Sequence, residues 1–195
     1  MADHPAFEPV ARLVPRAKAC LRVVLLLASI PLAMGQSCLL PSAGQAEEGC
    51  RTPANADDLE RAALTLVNEE RTSRGLSEVV LSPVLTTMAE DYCCEMIQYD
   101  FFAHVNPYHG PQDPQDALLQ RALDAGYFAL AVGENLAEGQ TTAEQVVADW
   151  LASPDHRENL LHPSWCEMGI AVRRAGASGP FYWTQEFGQP SSCAD

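Results

Sequence analysis

The order of the hydrophobic patterns along the chain is the feature that most restricts its fold. Between about residues 57 and 161, apolar residues recur at helical spacing, whereas the patterns of residues 168–174 and 181–187 predict two strands joined by a glycine-rich hairpin loop. Helices followed by paired strands are typical of an α+β domain in which helices pack on an antiparallel sheet. A chain of 195 residues is long enough to bury one core of this kind.

Capping and stop signals bound the predicted helices. A serine, threonine, asparagine or aspartate cap, in two cases followed by proline, begins a helix, and a glycine after the helical pattern ends it. The five predicted helices begin near residues 57, 83, 115, 142 and 153. The mixed composition of residues 129–140 predicts a short strand followed by a loop.

The first 35 residues have the layout of a secretory signal peptide. Basic residues precede the apolar run Val23 to Met34, and small residues at 33 and 35 suit a cleavage site. The run is shorter than the roughly 20 residues that a membrane-spanning helix requires. We therefore predict a secreted or periplasmic protein without a transmembrane segment after signal cleavage. The predicted organisation is a signal peptide at 1–35, a linker or arm at 36–56, the domain at 57–189 and a tail at 190–195.

The predicted mature chain is strongly acidic. Without residues 1–35 it keeps 8 of the 12 Lys and Arg residues and 24 of the 26 Asp and Glu residues, a net charge of −16. Such a surface repels nucleic acid and anionic membranes, so we expect no nucleic-acid partner. Divalent cations and basic partners are compatible with this charge, and solubility alone would also account for it.

Cysteine usage agrees with export. Cys20 lies in the signal segment, and the remaining even set indicates disulfides in an oxidising compartment. The six candidates are Cys38, Cys50, Cys93, Cys94, Cys166 and Cys193. The sequence alone does not determine how these cysteines pair. The side chains of Cys93 and Cys94 point in different directions on a helix, so these two cysteines would take different partners.

Three residues far apart in the sequence are candidates for a binding site. His104 lies on a loop after the second predicted helix, Glu134 follows a glycine, and His156 lies in the first turn of the fifth predicted helix. The positive end of that helix favours a neutral His156, and neutral imidazole is the form that binds metals. Each residue also has a structural interpretation, in which the imidazole bonds a backbone carbonyl and the carboxylate ties a loop to backbone amides.

Motifs of several enzyme classes are absent from the sequence. It contains no His-Glu-x-x-His segment of a zinc protease, no Gly-x-Ser-x-Gly nucleophile elbow and no phosphate-binding loop. No Cys-x-x-Cys pair supports a zinc knuckle or a redox site. We therefore favour a protein that binds over one that catalyses.

Several short segments occur in a fixed order and carry a family resemblance. They are Val67–Arg71, Phe102-Ala103-His104, Gly133-Glu134-Asn135-Leu136, Ser153–Leu160 and Tyr182–Phe187. Together they resemble the bacterial extracellular branch of the CAP superfamily, the SCP-like group that includes cysteine-rich secretory, antigen and pathogenesis-related proteins. The similarity covers about residues 57–189.

The resemblance implies an α–β–α sandwich whose central cavity is lined by two histidines and two acids. His104, Glu134 and His156 match three of these four positions. The fourth position follows the helix tryptophan Trp150 by three residues and is Ser153 in this chain. This departure weakens any mechanism that requires two carboxylates.

We expect a secreted binding or interaction module in which His104 and His156 face each other across the cavity. Zn²⁺ or another divalent cation is the candidate cofactor, with Glu134 as a hydrogen-bond partner or a third metal ligand. The resemblance implies small apolar, lipid-like ligands and extracellular or envelope partners. The alternatives are a hydrolase of peptide or glycan, in which Glu134 activates a metal-held water, and a purely structural envelope protein.

Overall fold

The computed structural model describes residues 49–191 and 193, which form five helices and five strands. The helices are α1 (Ala56–Thr72), α2 (Pro83–Tyr99), α3 (Pro114–Asp124), α4 (Ala143–Ala152) and α5 (Pro154–Leu160), and the strands are β1 (Cys50–Arg51), β2 (Val80–Leu81), β3 (Ala129–Glu138), β4 (Glu167–Ala175) and β5 (Phe181–Pro190). Among these residues, no helix combines the length and the apolar character needed to cross a bilayer. The predicted signal peptide and Cys38 lie outside the described residues.

The predicted succession of helices and closing strands is confirmed, and β3 is the main difference. The sequence predicts a short strand and a loop for residues 129–140, but β3 is ten residues long and pairs with β5 along its length. It is buried from Val132 to Ala137, so its sequence lacks the alternation of apolar and polar residues that marks a half-exposed strand. β1 and β2 escape prediction because two residues are too few to show any periodicity.

The sheet has one covered edge and one uncovered edge. Its strand order is β1-β4-β5-β3, with β2 also paired to β4. β1 runs antiparallel to the end of β4, and β2 runs parallel to its start, so the two short strands divide one edge between them. Among the described residues, no strand pairs with the outer edge of β3.

Helices pack on both faces of the sheet, so the fold is the α–β–α sandwich that the resemblance implies. Along β5, Trp183 and Phe187 enter the core that α1 and α4 share with the sheet, whereas Tyr182 packs in the core under α2. Leu118 of α3 packs against Val132 of β3. Burying each of these large side chains stabilises the fold by about 1.5–3 kcal/mol.

Two disulfides tie the ends of the described chain to the sandwich, but the prediction that Cys93 takes part in a disulfide is wrong. Cys50 pairs with Cys94, and Cys166 pairs with Cys193. Cys93 is a free, fully buried thiol on the sheet side of α2, in contact with the hydroxyl of Thr184 at 3.2 Å. Its side chain diverges from that of Cys94 by the roughly 100° that separate consecutive helix residues. Burial raises the pKa of the Cys93 thiol to about 12.

Arg71, near the end of α1, is fully buried and has no carboxylate partner among the described residues. Its guanidinium donates to four backbone carbonyls over 2.9–3.2 Å, and the four acceptors are Ser77, Leu160, His162 and Trp165. Burial lowers the pKa of Arg71, yet arginine remains charged in proteins. The side chain therefore fastens α1 to the loop between α5 and β4 through charge-assisted hydrogen bonds.

We predict that Arg71→Met lowers the free energy of unfolding by about 3 kcal/mol or more, because it leaves several buried carbonyls without donors. Urea denaturation of the purified domain measures this loss. Arg74→Met is the matched control, since Arg74 pairs with Glu70 at the surface and such a pair contributes at most about 1 kcal/mol. Equal losses in the two variants would show that the Arg71 bonds do not hold this part of the fold.

Candidate functional site

A cleft of about 530 Å³ lies along β3, between α3 and the loop before it on one side and α5 on the other. His104, Glu134 and His156 all line this cleft, together with Ser153 and Asn159. Each predicted residue comes from a different part of the chain: His104 from the α2–α3 loop, Glu134 from β3 and His156 from α5. The structure thus brings the three predicted site residues to one concave surface.

A chain of charged hydrogen bonds fixes His104. Its Nδ1 lies 2.7 Å from Oε1 of Glu134, and Arg121 of α3 donates to the other oxygen of Glu134 at 2.5 Å. Arg121 also donates to the carbonyl of His104, and its guanidinium lies 3.6 Å from the centre of the Tyr92 ring. The hydroxyl of Tyr92 in turn donates to the carbonyl of Ala103. The loop that carries His104 is therefore held by α2, α3 and β3 together.

Amide side chains hold the opposite wall. Asn135 of β3 donates to the carbonyl of His156 at 3.1 Å and accepts from Asn159 at 3.1 Å. The glycine before Glu134 is required here, because a Cβ at Gly133 would collide with the side chain of Asn159. β3 and α5 can therefore approach closely enough to place both histidines on the same cleft.

His156 is expected to be neutral at physiological pH, for a reason that the sequence does not reveal. Burial lowers the pKa of His156, and the nearby charge of His104 lowers it further, while Asp155 acts in the opposite direction. The position of His156 at a helix end predicts this effect, whereas burial is its leading cause in the structure. A neutral imidazole accepts a hydrogen bond or binds a metal through an unprotonated nitrogen.

A second acid, Glu186, lies beneath the cleft and was not identified from the sequence. It is directly opposite Glu134 on the neighbouring strand β5 and is fully buried. Neither of its carboxyl oxygens meets a hydrogen-bond donor within the described residues. Burial and then the charge of Glu134 raise the pKa of Glu186 well above its ordinary value, although Arg121 opposes this shift. A protonated Glu186 can donate its O–H to a carboxylate oxygen of Glu134.

The structure does not bring Glu134 into a three-residue metal site. No group of three or more His, Cys, Asp and Glu side chains in the described part of the chain is arranged to hold a metal ion. Both oxygens of Glu134 are engaged, one with His104 and the other with a guanidinium that would repel a cation. The donors that remain for a metal are the imidazoles of His104 and His156, with Glu134 orienting the first of them.

An antiparallel sheet between helical layers, with a histidine-lined cleft at its uncovered edge, defines the structural class of this protein. The model of the CAP family, the cysteine-rich secretory protein family, matches residues 64–187. The chain belongs to this family. The Bacillus subtilis protein YkwD is 30% identical over 135 residues, which cover 69% of this chain and 49% of YkwD. The chain thus spans about half the length of this relative.

Solved structures share the fold. An outer surface protein from Borrelia burgdorferi superposes with a TM-score of 0.63 at 20% identity, over 73% of this chain and 99% of that protein. An extracellular protein from Bacillus anthracis that contains an SCP domain gives a TM-score of 0.58 at 20% identity, over 69% of this chain and 41% of that protein. At these identities the similarity shows the fold alone.

We predict that His104→Ala raises the pKa of His156, because it removes the charge that disfavours a second imidazolium. NMR titration of the imidazole signals should place His156 below the ordinary pKa of 6.5 in the wild type and closer to it in the variant. Between the folded and unfolded pKa values the native state binds fewer protons, so stability from this residue is lost as the pH falls through that window. His109→Ala, at an exposed loop position outside the cleft, is the control. An unchanged His156 titration in His104→Ala would contradict the coupling.

We predict that the wild-type protein loses stability as the pH rises, and that Glu186→Gln abolishes this loss. Because the pKa of Glu186 is raised in the folded state, the native protein binds more protons than the unfolded chain between pH 4.5 and that raised pKa, and its stability falls as the pH rises through this window. One proton corresponds to a slope of at most about 1.4 kcal/mol per pH unit. Urea denaturation at several pH values measures this slope. The exposed Glu158→Gln should retain it, and a wild-type slope that survives in Glu186→Gln would refute the assignment.

Proposed function

We propose that this protein is an extracellular binding module that captures a polar ligand in the cleft along β3. The observation that carries the proposal is the Glu134-bound imidazole of His104, which lines the cleft with 44% of its side chain exposed. Its Nδ1 is bonded to Glu134, so Nε2 is the ring nitrogen left to meet a ligand. Groups held rigidly before a ligand arrives bind it at a lower entropic cost.

The lining of the cleft favours a polar ligand over a lipid-like one. Eight of the 13 lining residues have polar or charged side chains, which are His104, Gln115, Glu134, Asn135, Ser153, Asp155, His156 and Asn159. Binding an apolar molecule there would strip water from these groups without replacing their hydrogen bonds. The cleft volume of about 530 Å³ is in the range typical of ligand sites.

Three observations support an extracellular location. The basic and apolar pattern of residues 1–35 is that of a signal peptide, and the described domain contains two disulfides, which persist in oxidising compartments. The similar proteins from Bacillus anthracis and Borrelia burgdorferi are described as extracellular and outer surface proteins. Secretion or periplasmic export is the localisation that these observations favour.

A divalent cation such as zinc is a candidate ligand of the two imidazoles. The structure of NaASP2, which shares the fold at 14% identity and a TM-score of 0.50, was solved with Zn²⁺. In this chain, His104 and His156 would supply two nitrogen ligands, and water or a second ligand would complete the tetrahedral set that zinc prefers. Glu134 would act through His104, whose orientation it fixes, and the bound ion would supply Lewis acidity.

The hydrolase alternative rests on the same hydrogen bond. A carboxylate bonded to Nδ1 of an imidazole is the arrangement that orients a histidine as a general base. However, Glu134 is also bonded to Arg121, so it cannot itself act as the free base that a metal-assisted mechanism would require. We therefore rank binding above turnover.

The binding proposal predicts that zinc perturbs the signals of His104 and His156 together. His104→Ala and His156→Ala should each weaken zinc affinity by tenfold or more, about 1.4 kcal/mol, whereas the exposed His109→Ala should leave it unchanged. NMR titration of the purified domain measures both effects. Equal weakening by His109→Ala would place the ion elsewhere. Hydrolysis of peptide or glycan that is lost in Glu134→Gln would favour the alternative.

A further inference from the structure

The uncovered edge of β3 presents unpaired backbone groups to the cleft. The N–H of Gly139 donates to the carbonyl of Phe181. This bond shows which alternate residues of β3 form backbone hydrogen bonds with β5. In an antiparallel pair every second residue directs its N–H and C=O to the partner strand, so Gly133 and Asn135 face β5. Val132 and Glu134 consequently direct their backbone groups away from the sheet.

A side-chain contact confirms which backbone groups of β3 point away from β5. The carbonyl of Leu136, two residues beyond Glu134, accepts a hydrogen bond from the indole N–H of Trp150 at 3.1 Å, on the side away from β5. No such partner is present among the described residues for the backbone groups of Val132 and Glu134. Both residues line the cleft. Nearly every buried backbone group in a folded protein is paired, so these groups require water or a ligand.

We propose that the cleft binds an extended peptide segment of a partner protein, which adds to the sheet as a strand beside Val132 and Glu134. The proposal rests on the proposed function, because it names the ligand class of the same cleft. Addition of a strand to an exposed edge uses backbone hydrogen bonds for affinity and neighbouring side chains for selection. His104 and Gln115 on one wall, and Ser153 and Asn159 on the other, would contact the side chains of the added strand.

The charges around the cleft specify a basic peptide. Glu134 and Asp155 are the acidic side chains that line it. Glu134 is already paired with Arg121, so Asp155 is the lining carboxylate left to attract a basic residue. The whole chain carries a formal charge of −14, which attracts basic segments and repels a second copy of the same chain. We therefore assign the cleft to a segment with lysine or arginine near its ends and not to an edge-to-edge dimer.

The test uses a positional-scanning library of acetylated, amidated hexapeptides with lysine at both ends. We expect some members to shift the amide signals of Val132 and Glu134 in NMR spectra and to slow hydrogen exchange at these two amides by about tenfold or more. The selected peptide should lose tenfold or more of its affinity when alternate backbone nitrogens are methylated. Replacing both terminal lysines of the peptide by glutamate should lower its affinity by a similar factor.

Two variants of the protein distinguish backbone pairing from side-chain contact. Val132→Pro removes the outward N–H, and proline is tolerated in an edge strand where its nitrogen faces away from the sheet. Val132→Ala removes a similar amount of side chain and keeps the N–H. We expect tenfold or greater loss of peptide affinity in the first variant and less than threefold in the second. If Val132→Pro does not fold, the methylated peptides provide the same comparison.

The outcomes separate this inference from the proposed function. If no peptide binds up to about 1 mM while zinc still perturbs His104 and His156, strand addition is refuted and the binding module stands. If neither probe perturbs the cleft, both proposals fail. A concentration-dependent dimer detected by analytical ultracentrifugation, with Val132 and Glu134 protected in it, would assign the edge to a second copy and overturn the peptide assignment.

Discussion

The buried guanidinium of Arg71 connects parts of the fold that are not joined by strand pairing. Its four carbonyl acceptors lie in the loop after α1 and in the segment from the last residue of α5 to β4. A buried ion without partners would cost several kcal/mol, so this position is stable only while those carbonyls stay in place. Trp165, one of the acceptors, donates its indole N–H to the carbonyl of Asn159 and stacks on Phe187. The cleft wall that carries His156 therefore depends on a residue of α1 that is distant in the sequence.

A second arginine, Arg121, holds the cleft wall that carries His104. Whereas Arg71 is bonded to carbonyls, Arg121 is paired with a buried carboxylate. Arg121 is the cation beside two buried carboxyl groups, Glu134 and Glu186. These two acids lie directly opposite each other on β3 and β5, where cross-strand side chains come into contact. Like charges so placed cannot both be ionised at low cost, and the proton belongs on Glu186, which is farther from solvent. Glu134 is then held by Arg121 and by Nδ1 of His104, so Nε2 of His104 is the ring nitrogen left for the cleft.

The sequence identifies local features well and long-range partners poorly. His104 can be recognised because it lies in a short segment with a family pattern, whereas the role of Arg71 depends on carbonyls 89 and 91 residues away, which no local pattern reveals. Glu186 lies on a correctly predicted strand, but its effect on the cleft arises from residues of β3 and α3. The assignment of Cys93 failed because an even count of cysteines says nothing about which thiol faces the core.

The two edges of the sheet differ in a way that bears on function. Exposed strand edges promote unwanted association, and proteins usually cover them or place charge on them. Here β1 and β2 cover the edge of β4, and a disulfide from Cys50 to Cys94 fastens β1 in place. The edge of β3 instead lies in the cleft between α3 and α5. On an acidic protein, charge repulsion disfavours pairing of this edge with a second copy, and the edge would still admit the basic strand proposed above.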